Sequence, residues 1–156
     1  MMKDAMTIAS YICSRYEAEQ GEHIDEMKLH KLLYLAQRES LIRKGEPLFA
    51  EDFYGWRFGP VLPQIRENYK NENFKPISDE ELGDDKATLD AVFENYAAKD
   101  SWSLSRLTHG EICWKKSRKG IAPTESSSNL IPLDDIRLDA DRIRERRAML
   151  NQYGLL

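Results

Sequence analysis

Residues 25–44 read DEMKLHKLLYLAQRESLIRK. Asp25 is a good N-cap, and Gly45-Glu46-Pro47 is a stop signal, so a helix is expected from about Glu26 to Lys44. Its apolar residues, Met27, Leu29, Leu32, Leu33, Leu35, Ala36, Leu41 and Ile42, cover more than one stripe of the helix. A helix that is apolar around most of its circumference must be covered from several sides. This segment is therefore expected at the centre, with the remaining elements packed around it.

On its N-terminal side, Ile8, Ile12, Cys13 and Tyr16 fall on one face of a helix running from about Asp4 to Glu19, broken by Gly21. On its C-terminal side, Leu48 to Leu62 is different in kind. Phe53-Tyr54-Gly55-Trp56-Arg57-Phe58 is short and aromatic and reads as a strand or one arm of a hairpin, closed by a Gly59-Pro60 turn. Pro63 suits the first turn of a short helix to Tyr69. Ser78-Asp79-Glu80-Glu81 has the pattern of a capping box. Leu89, Val92, Phe93, Tyr96 and Ala97 keep helical spacing within Asp84 to Ala98. Ser103 is expected to cap a short helix, and Thr108-His109-Gly110-Glu111 reads as a capping box opening another through Lys119. Gly120 stops it, residues 123–129 form a loop, and Pro132 starts a last helix through about Tyr153. The expectation is a mainly α chain, residues 1–156 as a single domain. About six or seven helices surround the central apolar one, with a small β element near residues 52–58.

The chain has 156 residues, enough for one ordinary core without disulfide or metal support. Its 23 basic against 27 acidic residues give a formal charge of -4, which argues against nucleic acid as the partner. Cys13 and Cys113 lie far apart in apolar surroundings and read as free thiols in a reducing cytoplasm. There is no visible signal peptide, and no apolar run has the length of a membrane span.

His109, Glu111 and Cys113 invite a metal reading, but a structural zinc needs four ligands and no second Cys or His pair accompanies them. In the alternative, Thr108 caps a helix, Glu111 closes the capping box and His109 bonds near the helix start. A Cys113–His30 or Cys113–His109 nucleophile would need an activated thiolate, and the flanking Ile112 and Trp114 disfavour one. No phosphate-binding glycine motif is present. Trp56 and Phe58 would alternate into the core, leaving Arg57 outside and Tyr54 on the Trp56 face. The same residues, Tyr54, Trp56 and Arg57, are of the types that anchor protein partners. The last helix interleaves Arg137, Arg142, Arg144, Arg146 and Arg147 with acids. Arg142 and Arg146, one turn apart, are the second candidate contact.

Three blocks in order carry a resemblance. They are residues 27–37, then Pro47-Leu48-Phe49 with Asp52-Phe53 and Trp56 through Pro63, then Leu104 through His109 with Glu111, Trp114 and Arg118-Lys119-Gly120. Together they resemble the Panacea, or SocA-like, domain. The resemblance implies an antitoxin of a two-gene module, often carried on a prophage, that neutralises a cognate protein toxin by direct binding. It implies no catalytic residues and no cofactor. Some members of the family are similar to adaptors that deliver the toxin to a protease, so a protease is a further possible partner. A protein-binding regulator without a dedicated toxin, and a metal- or thiol-dependent hydrolase, are the alternatives. Gly59, Pro60, Thr108, His109, Glu111 and Trp114 are expected to serve the fold. Longer relatives carry an added DNA-binding segment. None is found here, so the chain is expected to be nearly all domain, and repression of its own promoter is not carried over by the resemblance.

Overall fold

In the computed structural model, which describes residues 2–71 and 73–155, the first helix, α1 (Ala5–Gln20), is capped by Asp4, whose side chain accepts from the Thr7 N–H at 2.8 Å. The central helix, α2 (Glu26–Lys44), is capped in the same way by Asp25. Its residues 28–42 are all buried. It packs against α1 and against α3 (Pro63–Lys70), α5 (Asp85–Val92), α6 (Ser101–His109) and α8 (Leu133–Gln152). The short helices α4 (Asp79–Leu82) and α7 (Ile112–Ser117) complete the set. The expected central position of the apolar helix is what the structure has.

Burial around the whole circumference places polar side chains of α2 inside as well, and most are spent on holding neighbours. Gln37 accepts from the Leu48 N–H (2.7 Å) and donates to the Phe49 carbonyl (2.9 Å), fixing the chain that leaves the helix. Arg38 donates to Glu111 at 2.6 Å, and the Tyr34 hydroxyl donates to the same carboxylate at 3.0 Å. Glu39 takes both nitrogens of Arg147 from α8. Arg144 of α8 donates to the carbonyls of Leu41 and Ile42 at the end of α2, where backbone acceptors run short of helical partners.

A small antiparallel sheet has the order β2-β1-β3, with β1 Phe53–Trp56, β2 Gly59–Val61 and β3 Leu130–Ile131. Phe53 is buried and meets Tyr34 edge to face at 5.6 Å. The third strand was not expected. It is two residues long, and its pairing of Phe53 with Ile131 and Tyr54 with Leu130 depends on tertiary structure.

Three helix boundaries need correction. The expected helix from Asp84 to Ala98 is α-helical only to Val92 and continues as a π-helical turn, Phe93–Ala97. There the Ala97 carbonyl faces the buried Lys28 ammonium, which donates to it at 3.3 Å. α6 begins two residues before the expected Ser103 cap, because Asp100 is the cap. Thr108 does not cap a helix. It lies inside α6 with its hydroxyl donating back to the Ser105 carbonyl, and Glu111 points at Arg38 and Tyr34 instead of closing a box. The start of α7 is capped from a distance by Asp139 of α8. Its fully buried carboxylate accepts from the Ile112 and Cys113 N–H groups at 2.9 and 2.8 Å.

Candidate functional site

The β1–β2 hairpin turns over two residues, Arg57 and Phe58, between the paired Trp56 and Gly59. Tyr54 and Trp56 share a half-buried face, while Phe53 and Gly55 face inward. The expectation that Trp56 and Phe58 enter the core is therefore corrected. Strand alternation puts Phe53, and hence not Trp56, on the core side. Phe58 lies in the turn, where alternation no longer applies, and is 44% exposed. Arg57 is exposed, as expected. Phe58 meets Trp102 of α6, itself 61% exposed, edge to face at 6.1 Å.

The turn is held from beneath by its own backbone. The Phe58 carbonyl accepts from the Lys31 amine of α2 and from the Ser105 hydroxyl of α6, the latter at 3.3 Å. Gly59 follows with φ 127°, and a Cβ there would overlap the Lys31 amine and press on the Thr108 hydroxyl. Only glycine combines that backbone with that approach. Trp114 stacks on His109 at 4.1 Å and donates its indole N–H to the Trp56 carbonyl at 2.9 Å. Arg118, buried, donates to the carbonyls of Gly55, Ala122 and Glu125, tying the 120–129 loop to β1. Residues from all three sequence blocks thus converge beneath one turn.

Beside this turn opens a cavity of about 750 Å³. Glu26, His30 and Lys31 of α2, the Trp56–Phe58 turn, Arg66 of α3 and Ser126–Ser128 line it. The Trp56 indole donates to Ser128, and Arg66 lies over the Trp56 ring at 5.4 Å. His30 accepts from the Leu62 N–H at Nδ1, so Nε2 carries the proton and donates to Glu26 at 3.1 Å. Burial holds this imidazole below its ordinary range, which agrees with the neutral form. Its bond to His30, with the Arg66 charge, keeps the Glu26 carboxyl below the usual carboxylate range. Lys31 is 1% exposed, and burial alone brings its amine down to about 8. The cavity therefore sets Lys31, Arg57 and Arg66 against the single carboxylate of Glu26, on a chain whose net charge is -4.

The residues once considered for chemistry are separated in use. Burial pushes the Cys113 thiol well up, and it meets the Tyr34 hydroxyl at 3.1 Å, while His109 stacks on Trp114. Burial, followed by the Lys31 charge, lowers the His109 imidazole. Among the described residues no three His, Cys, Asp or Glu side chains are grouped as a metal would require, and no helix is long and apolar enough to cross a membrane.

Arg142 and Arg146 do not join the turn. They are exposed on α8 over a second groove, of about 780 Å³, that also contains Arg38 and Glu111. Arg142 lies 3.6 Å from Asp139. The other arginines of that helix are engaged: Arg137 with the Gly45 carbonyl, Arg144 and Arg147 with α2. Sequence reasoning missed Lys31, Arg66 and Trp102. A lysine in the middle of an all-round apolar helix was the available signal for the first.

The family model described as antitoxin SocA-like, Panacea domain matches residues 29–115. The antitoxin SocA of Caulobacter vibrioides (strain NA1000 / CB15N) is 37% identical over 62 residues, 40% of this chain and 32% of that protein. The matched segment thus spans about a third of the curated relative. No solved structure matches.

Proposed function

Because the chain belongs to the antitoxin SocA-like, Panacea domain family, we propose that it is the antitoxin of a toxin–antitoxin pair and neutralises a cognate protein toxin by binding it directly. The turn at Trp56, Arg57 and Phe58, with Trp102 beside it, is the contact. One observation carries this choice. Two large aromatic side chains stand 44% and 61% exposed, touching each other, over a turn anchored by side chains of three helices, α2, α6 and α7. Exposed aromatics next to arginines are the side chains that most often carry binding energy, and a rigid support reduces the entropy lost on docking. The core beneath is fixed by packing, so the same scaffold can present different turn and loop residues to different partners. Tyr54, half-buried on the Trp56 face, borders this contact; Arg142 and Arg146 form a second, separate candidate.

Co-expression with the product of the neighbouring gene is the test. The native chain should restore growth and co-elute with that product. Trp102→Ala and Arg57→Glu should retain the native melting temperature, and each should weaken the complex by about tenfold or more. Native-like binding by both folded variants would remove this face from the interface. Restored growth without any complex would exclude direct neutralisation.

A further inference from the structure

Among the described residues, Lys31 is the least partnered of the buried cations. Arg38 donates to Glu111 and Tyr96, with its Nε left over, and Arg118 donates to three carbonyls. Lys28 donates to the Tyr16 hydroxyl and the Ala97 carbonyl and lies 5.0 Å from the Tyr16 ring centre. Lys31 donates to a single carbonyl, that of Phe58. An ammonium has three N–H donors, and burying one without an anion is costly. This one borders the 750 Å³ cavity, whose other charges are Arg57, Arg66 and a Glu26 already shared between His30 and Arg66. Apolar walls come from Met27, Trp56 and Phe58.

We propose that this cavity receives a carboxylate side chain of the bound protein partner, flanked by an aromatic or apolar side chain, with Lys31 as the ion-pairing group at its floor. The inference rests on the reading of the chain as a protein-binding antitoxin and adds the chemistry of what the partner inserts. The charge pattern selects the ligand: three cations and one engaged acid attract an anion. The aromatic walls select an organic acid over an inorganic ion. A carboxylate arriving at Lys31 would meet donors that the fold leaves unused, in a site where water is largely displaced and the ion pair is correspondingly strong.

The groups facing Lys31 make a pH test clean. On α2 they are Glu26 and His30, on the turn Arg57, on α3 Arg66 and on α6 His109. His30, His109 and Glu26 all lie below their ordinary ranges. Between pH 7 and 9.5 only Lys31 among them changes charge.

Phenylacetate is the probe, with the neutral phenylacetamide as its control, titrated into the purified chain and followed by NMR shifts of the Phe58 and Gly59 amides and the Trp56 indole. Saturable binding of phenylacetate is expected, about tenfold tighter than of the amide. It should weaken about tenfold or more from pH 7 to 9.5 and be lost in Lys31→Met. Equal binding of acid and amide, a flat pH profile, full binding by a folded Lys31→Met, or no binding up to about 50 mM would each overturn the proposal. The pH series uses the native chain, so it decides even if the variant folds poorly. In the co-expression assay, a native chain that rescues beside an equally active Lys31→Met would refute this site and leave the antitoxin reading standing. A native chain that neither rescues nor binds the neighbouring product would refute that reading whatever the probe does.

Discussion

Replacing Lys31 by Met is expected to make the protein more stable at neutral pH. The amine is 1% exposed and its proton is held near 8 in place of the ordinary 10.5. That difference in proton affinity corresponds to about 3 kcal/mol, the cost of keeping the ammonium charged in the folded state. Methionine is similar in shape and carries no charge. It gives up the bond to the Phe58 carbonyl, worth about 1 kcal/mol, so the net gain is about 2 kcal/mol. The sign of the pH dependence follows from the lowered value. Below pH 8 both folded and unfolded chains hold the proton and the cost is fully present. From there to 10.5 only the unfolded chain holds it, so the native chain gains on the variant and the gap closes. Cys13, pushed up to about 12, and the raised Cys113 and Tyr34 destabilise the folded state in alkali, but equally in both chains, so they cancel in the difference. Urea unfolding of both chains at pH 7, 8.5 and 10 is the assay. A variant less stable than the native chain at pH 7, by an amount that does not change with pH, would refute the reasoning and make Lys31 a simple strut for the turn. A stabilising variant that binds poorly would show stability given up for a charged site.

Three further outcomes follow from the same contacts. Asp139→Ala removes the buried carboxylate that accepts from Ile112 and Cys113, and should cost about 2–4 kcal/mol in chemical denaturation; a loss under about 0.5 kcal/mol would mean α7 needs no cap. Trp114→Ala loses the His109 stack and the bond to the Trp56 carbonyl, and should cost about 2–3 kcal/mol in a thermal melt, less than a fully buried tryptophan because Trp114 is half-buried. Reversing both Arg142 and Arg146 to Glu should leave the melt within a few degrees of native, since both are exposed. Full toxin rescue by that double mutant would assign neutralisation to the turn, and lost rescue would bring the α8 groove into the interface.

Much of the architecture was legible because it rests on short-range rules. Asp25 caps the central helix as read, the first helix starts within a residue of Asp4, and the all-round apolar character of residues 27–42 marks the centre. The failures share a cause. Thr108 and Glu111 have the spacing of a capping box, yet the competing acceptor is Asp139, 26 residues beyond Cys113 and invisible to local pattern. β3 pairs with β1, a partner far away in the sequence, and packs against α7, neither of which local pattern encodes. At the site, Arg57 was expected outside through alternation with an inward Trp56, whereas its exposure comes from the two-residue turn, and Phe58 was placed inward because a strand was assumed to continue through that turn. Lys31 stood in the most regular helix of the chain. Its meaning depends on a carbonyl 27 residues away and on the absence of a carboxylate, neither of which spacing encodes.

The central claim is neutralisation by direct contact, and a stoichiometric titration tests it most directly. The purified neighbouring-gene product is assayed for its toxic activity against increasing amounts of this chain, with size-exclusion chromatography of the same mixtures. The account predicts that activity falls in proportion to added chain, reaches its floor at a fixed molar ratio, and disappears together with the free toxin peak into one co-eluting complex. Activity that persists at large excess of a folded chain, with the two proteins eluting apart, would contradict it.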